Sequence, residues 1–171
     1  FYHRQTNSTE YSRQGCAERV ELHPDGSIPQ TEITSCGLNG SALEASGVYP
    51  AAIACHLTDP TVKNVIDYSS PDLKDQIRIT EQENQVFVTK VKDKAIVGFK
   101  YFRYSGQTVL ALELRGSFRG EIAISQDEGG NLLIGSLSLE LSSPVWQVLT
   151  TAIRPWDGSG AQIGRASCRE R

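Results

Sequence analysis

The stretch LLIGSLSLEL, residues 132–141, decides the fold class. In an extended backbone Leu133, Leu137, Leu139 and Leu141 point one way, and Ser136, Ser138 and Glu140 the other. Successive side chains of a strand leave opposite faces, so this period of two marks one buried and one wet face. The same grammar continues on both sides. QVFVTKV (85–91) and AIVGFKYFRY (95–104) are rich in β-branched and aromatic residues. TVLALELR (108–115) puts Leu110, Leu112 and Leu114 on one face, and GEIAISQ (120–126) alternates Ile122 and Ile124 with polar neighbours. VWQVLTTAI (145–153) follows. Turn chemistry falls at Lys92-Asp93-Lys94, at Ser105-Gly106, at Ser117 to Gly120 and at Asp127 to Asn131. Short strands at this spacing, with no helical stretch between them, predict an antiparallel sandwich or jelly roll.

Upstream the pattern loosens. Residues 58–75, around TDPTVKNVIDYSSPDLK, hold two prolines, two serines and several charges without a period, which is linker chemistry. Before them AERVEL (17–22) and TEITS (31–35) read as short strands around the turn Pro24-Asp25-Gly26. Residues 1–57 carry too little apolar periodicity to bury a core alone, so they read as the last piece of a larger β domain.

Both ends suggest an interior piece of a longer protein. Phe1-Tyr2 begins in mid-pattern, and no Met occurs in the 171 residues. The last nine residues, IGRASCRER (163–171), match one reading frame of a widely used sequencing adapter, and are set aside from the fold as a cloning scar would be. Arg165, Arg169, Arg171 and Glu170 leave with them, so the formal net charge moves from −3 to −5. A chain this acidic carries no footprint for nucleic acid. Its longest apolar runs are far shorter than a helical membrane span.

Three cysteines remain, Cys16, Cys36 and Cys55. An odd number with no CxxC pair argues against a closed disulfide framework. They read as small buried apolar residues, with a metal site using His56 as the alternative. Asn7-Ser8-Thr9 and Asn39-Gly40-Ser41 fit the N-glycosylation pattern.

A family resemblance rests on particular residues. FYHRQTN and SRQGCAE, followed by TSCGLNG and YPAAIAC, resemble the end of the catalytic domain of family 43 glycoside hydrolases. VGFKYF, LRGSFRGEIAI and SSPVWQ resemble the family 6-like carbohydrate-binding sandwich that often follows it. The resemblance implies an all-β chain: the last part of a five-bladed β-propeller (1–57), a linker (58–75), and an antiparallel β-sandwich or jelly roll (76–162), truncated at both ends. Arg19 departs from the pattern, since relatives more often carry Pro after Ala-Glu.

The implied chemistry is inverting hydrolysis of β-xylosyl or α-L-arabinofuranosyl linkages in xylan or arabinoxylan. Such chemistry needs a carboxylate base and a carboxylic acid held far enough apart to admit a water. In this family they are two Asp and one Glu from earlier blades, so no catalytic residue is expected here, and Glu10, Glu18 and Glu21 are not assigned that role. The chain alone is expected to be inactive. No cofactor is needed for the reaction. His3 matches a histidine that contacts a central cation, commonly Ca²⁺, directly or through water; an ordinary hydrogen-bonded histidine is the alternative. Arg13 matches an arginine that reaches the sugar, with its fixed fork of donors suited to hydroxyl oxygens; a structural arginine is the alternative. In the sandwich, Tyr101, Tyr104, Phe118, Trp146 and Trp156 are the aromatic candidates. Trp146 reads as core, and Trp156, in the turn-rich RPWDGSG, as the more exposed sugar platform. With residues 163–171 set aside the sandwich lacks its closing strand, and an unpaired neighbour predicts aggregation. A non-enzymatic glycan-binding or adhesion sandwich is the competing reading; FYHR and SRQGCAE favour the hydrolase. A third reading has the sandwich bind no sugar and only buttress the propeller.

Overall fold

The structure is a computed structural model that describes residues 1–5, 13–60 and 75–168. Ten strands follow in order: β1 (Tyr2–Gln5), β2 (Arg13–Cys16), β3 (Leu43–Glu44), β4 (His56–Thr58), β5 (Arg78–Gln82), β6 (Gln85–Thr89), β7 (Ile96–Ser105), β8 (Val109–Ser125), β9 (Leu133–Ala152) and β10 (Asp157–Cys168). The only helical segments among the described residues are two 3₁₀ turns, Gly37–Asn39 and Ala51–Ile53. None is long and apolar enough to cross a membrane. The main sheet runs β3-β7-β10-β8-β9, with β4 also on β7; β1-β2 and β5-β6 are separate hairpins.

The predicted alternation holds where it was clearest. Leu137, Leu139 and Leu141 are half-buried, while Ser136, Ser138 and Glu140 face water. The phase breaks at the start of β9: Leu133 is 50% exposed and Ile134 is the buried residue. The register steps from Ile124–Gly135 to Ser125–Leu133, so Ile134 is an extra residue on its strand. One inserted residue exchanges inward and outward positions.

One expected turn is corrected. Residues 117–120 lie inside β8, and Ser142-Ser143-Pro144, the gap between two expected strands, lies inside β9, so four expected strands are two long ones. Between the pairs Leu114–Gln147 and Gly116–Ser143 the ladder is interrupted, leaving Arg115 opposite Pro144, Val145 and Trp146. Proline lacks the donor that a ladder needs, and a bulge on an edge strand tolerates it. Past this bulge the ribbon folds back. Ile153 bridges Gly135 of its own ribbon, the Arg154 amide donates to the Ile134 carbonyl at 2.6 Å, and the Thr151 hydroxyl donates to the Ser136 carbonyl at 2.5 Å. Both layers of the sandwich therefore draw on one hairpin.

The larger core lies inside this fold: Phe102, Tyr104, Ile124, Ile134 and Ile153, with Tyr49, Phe99 and Trp156 packed against it. Each of the three isoleucines is worth about 1.5–3 kcal/mol when removed from water. Ile77, Ala95 and Ala166 form a second cluster with Leu57, Val88, Val97 and Phe118.

Residues 163–168, set aside above, take part in the sheet. Ile163–Cys168 complete β10, which pairs with β7 on one side and β8 on the other. Ile163 and Ala166 are both buried. Ladder bonds come from the backbone, so the strand needs only an apolar side chain and small residues at its inward positions. The expected unpaired neighbour is absent among the described residues.

The boundaries at 57/58 and at 76 do not coincide with the sheet. Leu43–Glu44 pair in parallel with Phe102 and Arg103, and His56–Thr58 pair antiparallel with residues 96–98. Between them the Ser35 amide donates to the Lys100 carbonyl. Residues 35–58 thus cover the β7 edge that β10 leaves open, which removes a free strand edge. The expected strands at 17–22 and 31–35 find no ladder partner among the described residues and stay irregular, with Val20, Leu22 and Ile33 exposed. Of the expected linker, residues 61–74 lie outside the described residues, as do Glu10 and the sequon at residue 7.

A stop codon after Gln162 should abolish cooperative unfolding, because it removes the half of β10 that separates β7 from β8. A thermal transition at the temperature of the 171-residue chain would contradict that placement.

Candidate functional site

The β1–β2 hairpin sorts its side chains by the strand period. Tyr2 pairs with Cys16 and Arg4 with Gln14, while His3 pairs with Gly15 and Gln5 with Arg13. Tyr2, Arg4, Gln14 and Cys16 are half-buried; His3, Arg13 and Gly15 are exposed. The two residues singled out from the sequence, His3 and Arg13, therefore share one open face. A Cβ placed on Gly15 would meet nothing within 4 Å, so the face beside His3 is unobstructed. The described hairpin residues include no carboxylate, so they can hold a sugar hydroxyl but cannot activate water.

The buried face is tied to the sandwich by one arginine. The Arg4 guanidinium donates to the Ala52 carbonyl at 2.7 Å, to the Ala54 carbonyl, and to Gln14 Oε1 at 2.8 Å. Gln14 in turn donates to the Ala52 carbonyl at 3.3 Å. Ala52 and Ala54 lie on the 3₁₀ turn leading into β4. A second tie is Glu18. Its carboxylate accepts from the Thr34 amide at 2.8 Å, the Thr34 hydroxyl at 2.9 Å and the Tyr2 hydroxyl at 3.3 Å. Burial, then the neighbouring Cys16 and Glu18, push the Tyr2 phenol up to about 12. Glu18 is thus a strap with its oxygens engaged, and Glu21 is exposed. A third contact joins residue 32 to β7: Lys100 Nζ lies 2.8 Å from Glu32, and the Tyr101 hydroxyl donates to the same carboxylate at 2.9 Å. These bonds hold the Glu32 carboxyl below the usual carboxylate range.

Trp156 does not stand out as a bare platform. It is half-buried, its ring lies 4.9 Å from Tyr104, and Cβ atoms on Gly158 or Gly160 would fall within 3.0 Å of it. Two glycines make room for the indole against β10. Its Nε1 is buried without a hydrogen-bond partner among the described residues. Tyr104 is core: its hydroxyl donates to Gln162 at 2.9 Å, and burial pushes the phenol up to about 12. Phe118 packs against the second core cluster. Trp146, read as core, belongs to neither cluster; it stands at the ribbon's bulge, where its indole N–H donates to Gln85 at 2.8 Å.

The cysteines are all free and half-buried, with Cys36 and Cys55 against carbonyls of β7. No group of three His, Cys, Asp or Glu side chains gathers among the described residues. His56 instead has Nε2 3.5 Å from Glu128. His3 is exposed, and no set of oxygens like the six to eight that Ca²⁺ takes is gathered beside it among the described residues.

Solved structures share this architecture. The CsCBM6-3 module of Clostridium stercorarium, solved with cellobiose, superposes with a TM-score of 0.61 at 11% identity, over 75% of this chain and 90% of the module. A family 43 arabinoxylan arabinofuranohydrolase of Bacillus subtilis, solved with cellotetraose, gives 0.60 at 13% identity, over 90% of this chain and 30% of that one. At these identities the likeness shows the fold. No family model matches the chain. The decisive comparison is in sequence: a xylosidase/arabinosidase of Thermoclostridium stercorarium is 37% identical over 164 residues, covering 92% of this chain. The chain is similar in sequence to part of that enzyme. It spans about a third of that relative's length (34%) and carries the family 6-like sandwich.

Arg4→Met should destabilise the chain by about 2 kcal/mol, since it removes the guanidinium's bond to the Ala54 carbonyl and leaves the Ala52 carbonyl to Gln14 alone. It should also speed hydrogen exchange at the β1–β2 amides. Unchanged exchange there would show that the hairpin is held by something else.

Proposed function

We propose that this chain is part of an inverting glycoside hydrolase that cleaves xylosyl or arabinofuranosyl linkages in plant hemicellulose, with the sandwich as an accessory carbohydrate-binding module. The observation that carries this reading is the 37% identity to a xylosidase/arabinosidase over 92% of this chain. The catalytic Asp, Asp and Glu belong to the part of the longer relative that this chain does not span. Within the chain, the open face of the hairpin contributes Arg13 as a donor to sugar hydroxyls, and His3 as a contact, through water, to a structural Ca²⁺. The reaction needs no cofactor. The glycan partner is a xylan or arabinoxylan chain; structural neighbours of the sandwich were solved with cellobiose and xylose. Trp156 is the sandwich residue proposed to meet it, through the accessible part of its half-buried ring.

The test is an assay of the longer protein on aryl β-xyloside and aryl α-L-arabinofuranoside, with the anomeric proton followed by NMR. The expected result is hydrolysis of at least one substrate with inversion, and a loss in kcat/KM of about tenfold or more in Arg13→Ala. Hydrolysis of neither, with retained glycan binding, would replace this reading by the non-enzymatic one.

A further inference from the structure

The Asn39-Gly40-Ser41 triplet has no part in the sugar chemistry above, yet the fold builds a reactive junction there. Gly37–Asn39 form a single 3₁₀ turn, closed by the Asn39 amide on the Cys36 carbonyl at 3.2 Å. Gly40 ends the turn in the left-handed region, at φ +67° and ψ +5°. The similar turn at Ala51–Ile53 has its cap amide bonded to the Ala51 carbonyl at 3.0 Å. The Gly40 amide has no such bond, and the Asn39 side chain makes none, among the described residues. Leu38, Asn39, Gly40 and Ser41 are all exposed. A nucleophilic nitrogen and an amide carbon in the next residue are thus unengaged and open to water.

A third group lies over them. A Cβ placed on Gly40 would fall 3.1 Å from Arg19 Nη1 and 3.2 Å from Arg19 Cδ. The arginine therefore lies across the side of residue 40 that a side chain would occupy, and only glycine leaves that side open. Arg19 enters no ion pair among the described residues. Its charge is available to negative charge that develops at the junction.

We propose that Asn39-Gly40 is a site of spontaneous deamidation promoted by Arg19. The Gly40 nitrogen gives its proton to solvent base and attacks Asn39 Cγ. A C–N bond closes a succinimide ring, and the side-chain nitrogen takes up a proton and leaves as ammonia. Water then opens the ring at either carbonyl, leaving aspartate or isoaspartate. The guanidinium stabilises the anionic nitrogen and the oxyanion that follows it. The isoaspartyl product also lengthens the main chain between Cys36, whose Sγ accepts from the Tyr101 amide at 3.2 Å, and Leu43, which pairs with Phe102. The modification thus acts on the segment that covers the β7 edge. Asn84 and Asn131 lack this arrangement. They are followed by Gln85 and Leu132, whose side chains crowd the attacking nitrogen. The Asn131 side-chain amide and the Leu132 amide are both held by the Asp127 carboxylate, at 3.1 and 2.6 Å.

The test is peptide mapping by mass spectrometry of the 171-residue chain held in mildly alkaline buffer, with isoaspartate counted by enzymatic methyl transfer. Asn39 should convert about tenfold or more faster than Asn84 and Asn131. Arg19→Gln should slow conversion at Asn39 by about threefold or more in the folded chain, with Arg19→Lys between the two. In urea, where Arg19 no longer lies over the junction, parent and both variants should react alike. Thermal melts establish that the variants are folded; should Arg19→Gln unfold, Arg19→Lys carries the comparison. No conversion at Asn39, a rate no greater than at Asn84 and Asn131, equal rates in the folded parent and folded Arg19 variants, or an Arg19 effect that persists in urea would each overturn the proposal.

Discussion

The β8–β9 ribbon encloses a core because it doubles back on itself, and the contact that closes it joins Gly135 to Ile153. A straight hairpin of this length would expose one apolar face to water. Folding it at the bulge between Arg115 and Pro144–Trp146 turns that face onto itself and onto β7. Gly135 is where the closure tolerates nothing larger: a Cβ there would sit 2.7 Å from the Ala152 carbonyl. Everything else is arranged on this folded ribbon. β10 adds to β8, β7 adds to β10, and residues 35–58 cover the last edge.

That covering makes the hairpin and the sandwich one physical unit. The segment that caps β7 also carries the two carbonyls that Arg4 grips and the threonine that Glu18 holds. His3 and Arg13 are thus presented from a hairpin whose other face is bonded to the sandwich. A sandwich on a free tether would add glycan affinity only through effective concentration. Under the proposed function, one bonded to the hairpin would also fix where a polysaccharide held on it meets that face, and buttress and binding module would be two roles of the same sheet.

The sequence made the fold class readable because period two is a local signal. Leu137, Leu139 and Leu141 declared their strand without any knowledge of its partner. What escaped was decided by tertiary contact. Ile134 replaced Leu133 in the core because of a single inserted residue, which no local pattern marks. β3 and β4 are two and three residues long, too short to show a period. β10 was hidden by its Gly-rich first half and by the odd composition of residues 163–171. At the site, the shared face of His3 and Arg13 follows from hairpin register. Arg4 and Glu18 could not be found that way, since their partners lie 48 and 16 residues away. The indoles exchanged their expected surroundings for a similar reason. Gly158 and Gly160 give Trp156 a seat against the core, whereas the bulge turns Trp146 toward the β5–β6 tip.

The most direct test of the folded ribbon is urea denaturation of Gly135→Ala against the parent chain. A methyl group is small and suits an extended strand, so on a straight ribbon it would be neutral or mildly stabilising. On the folded ribbon it meets the Ala152 carbonyl and the Ile153 side chain, and the loss should be about 2 kcal/mol or more, seen as a lower midpoint with an unchanged slope. An unchanged or raised midpoint would contradict the closure, and with it the account of how this chain encloses its core.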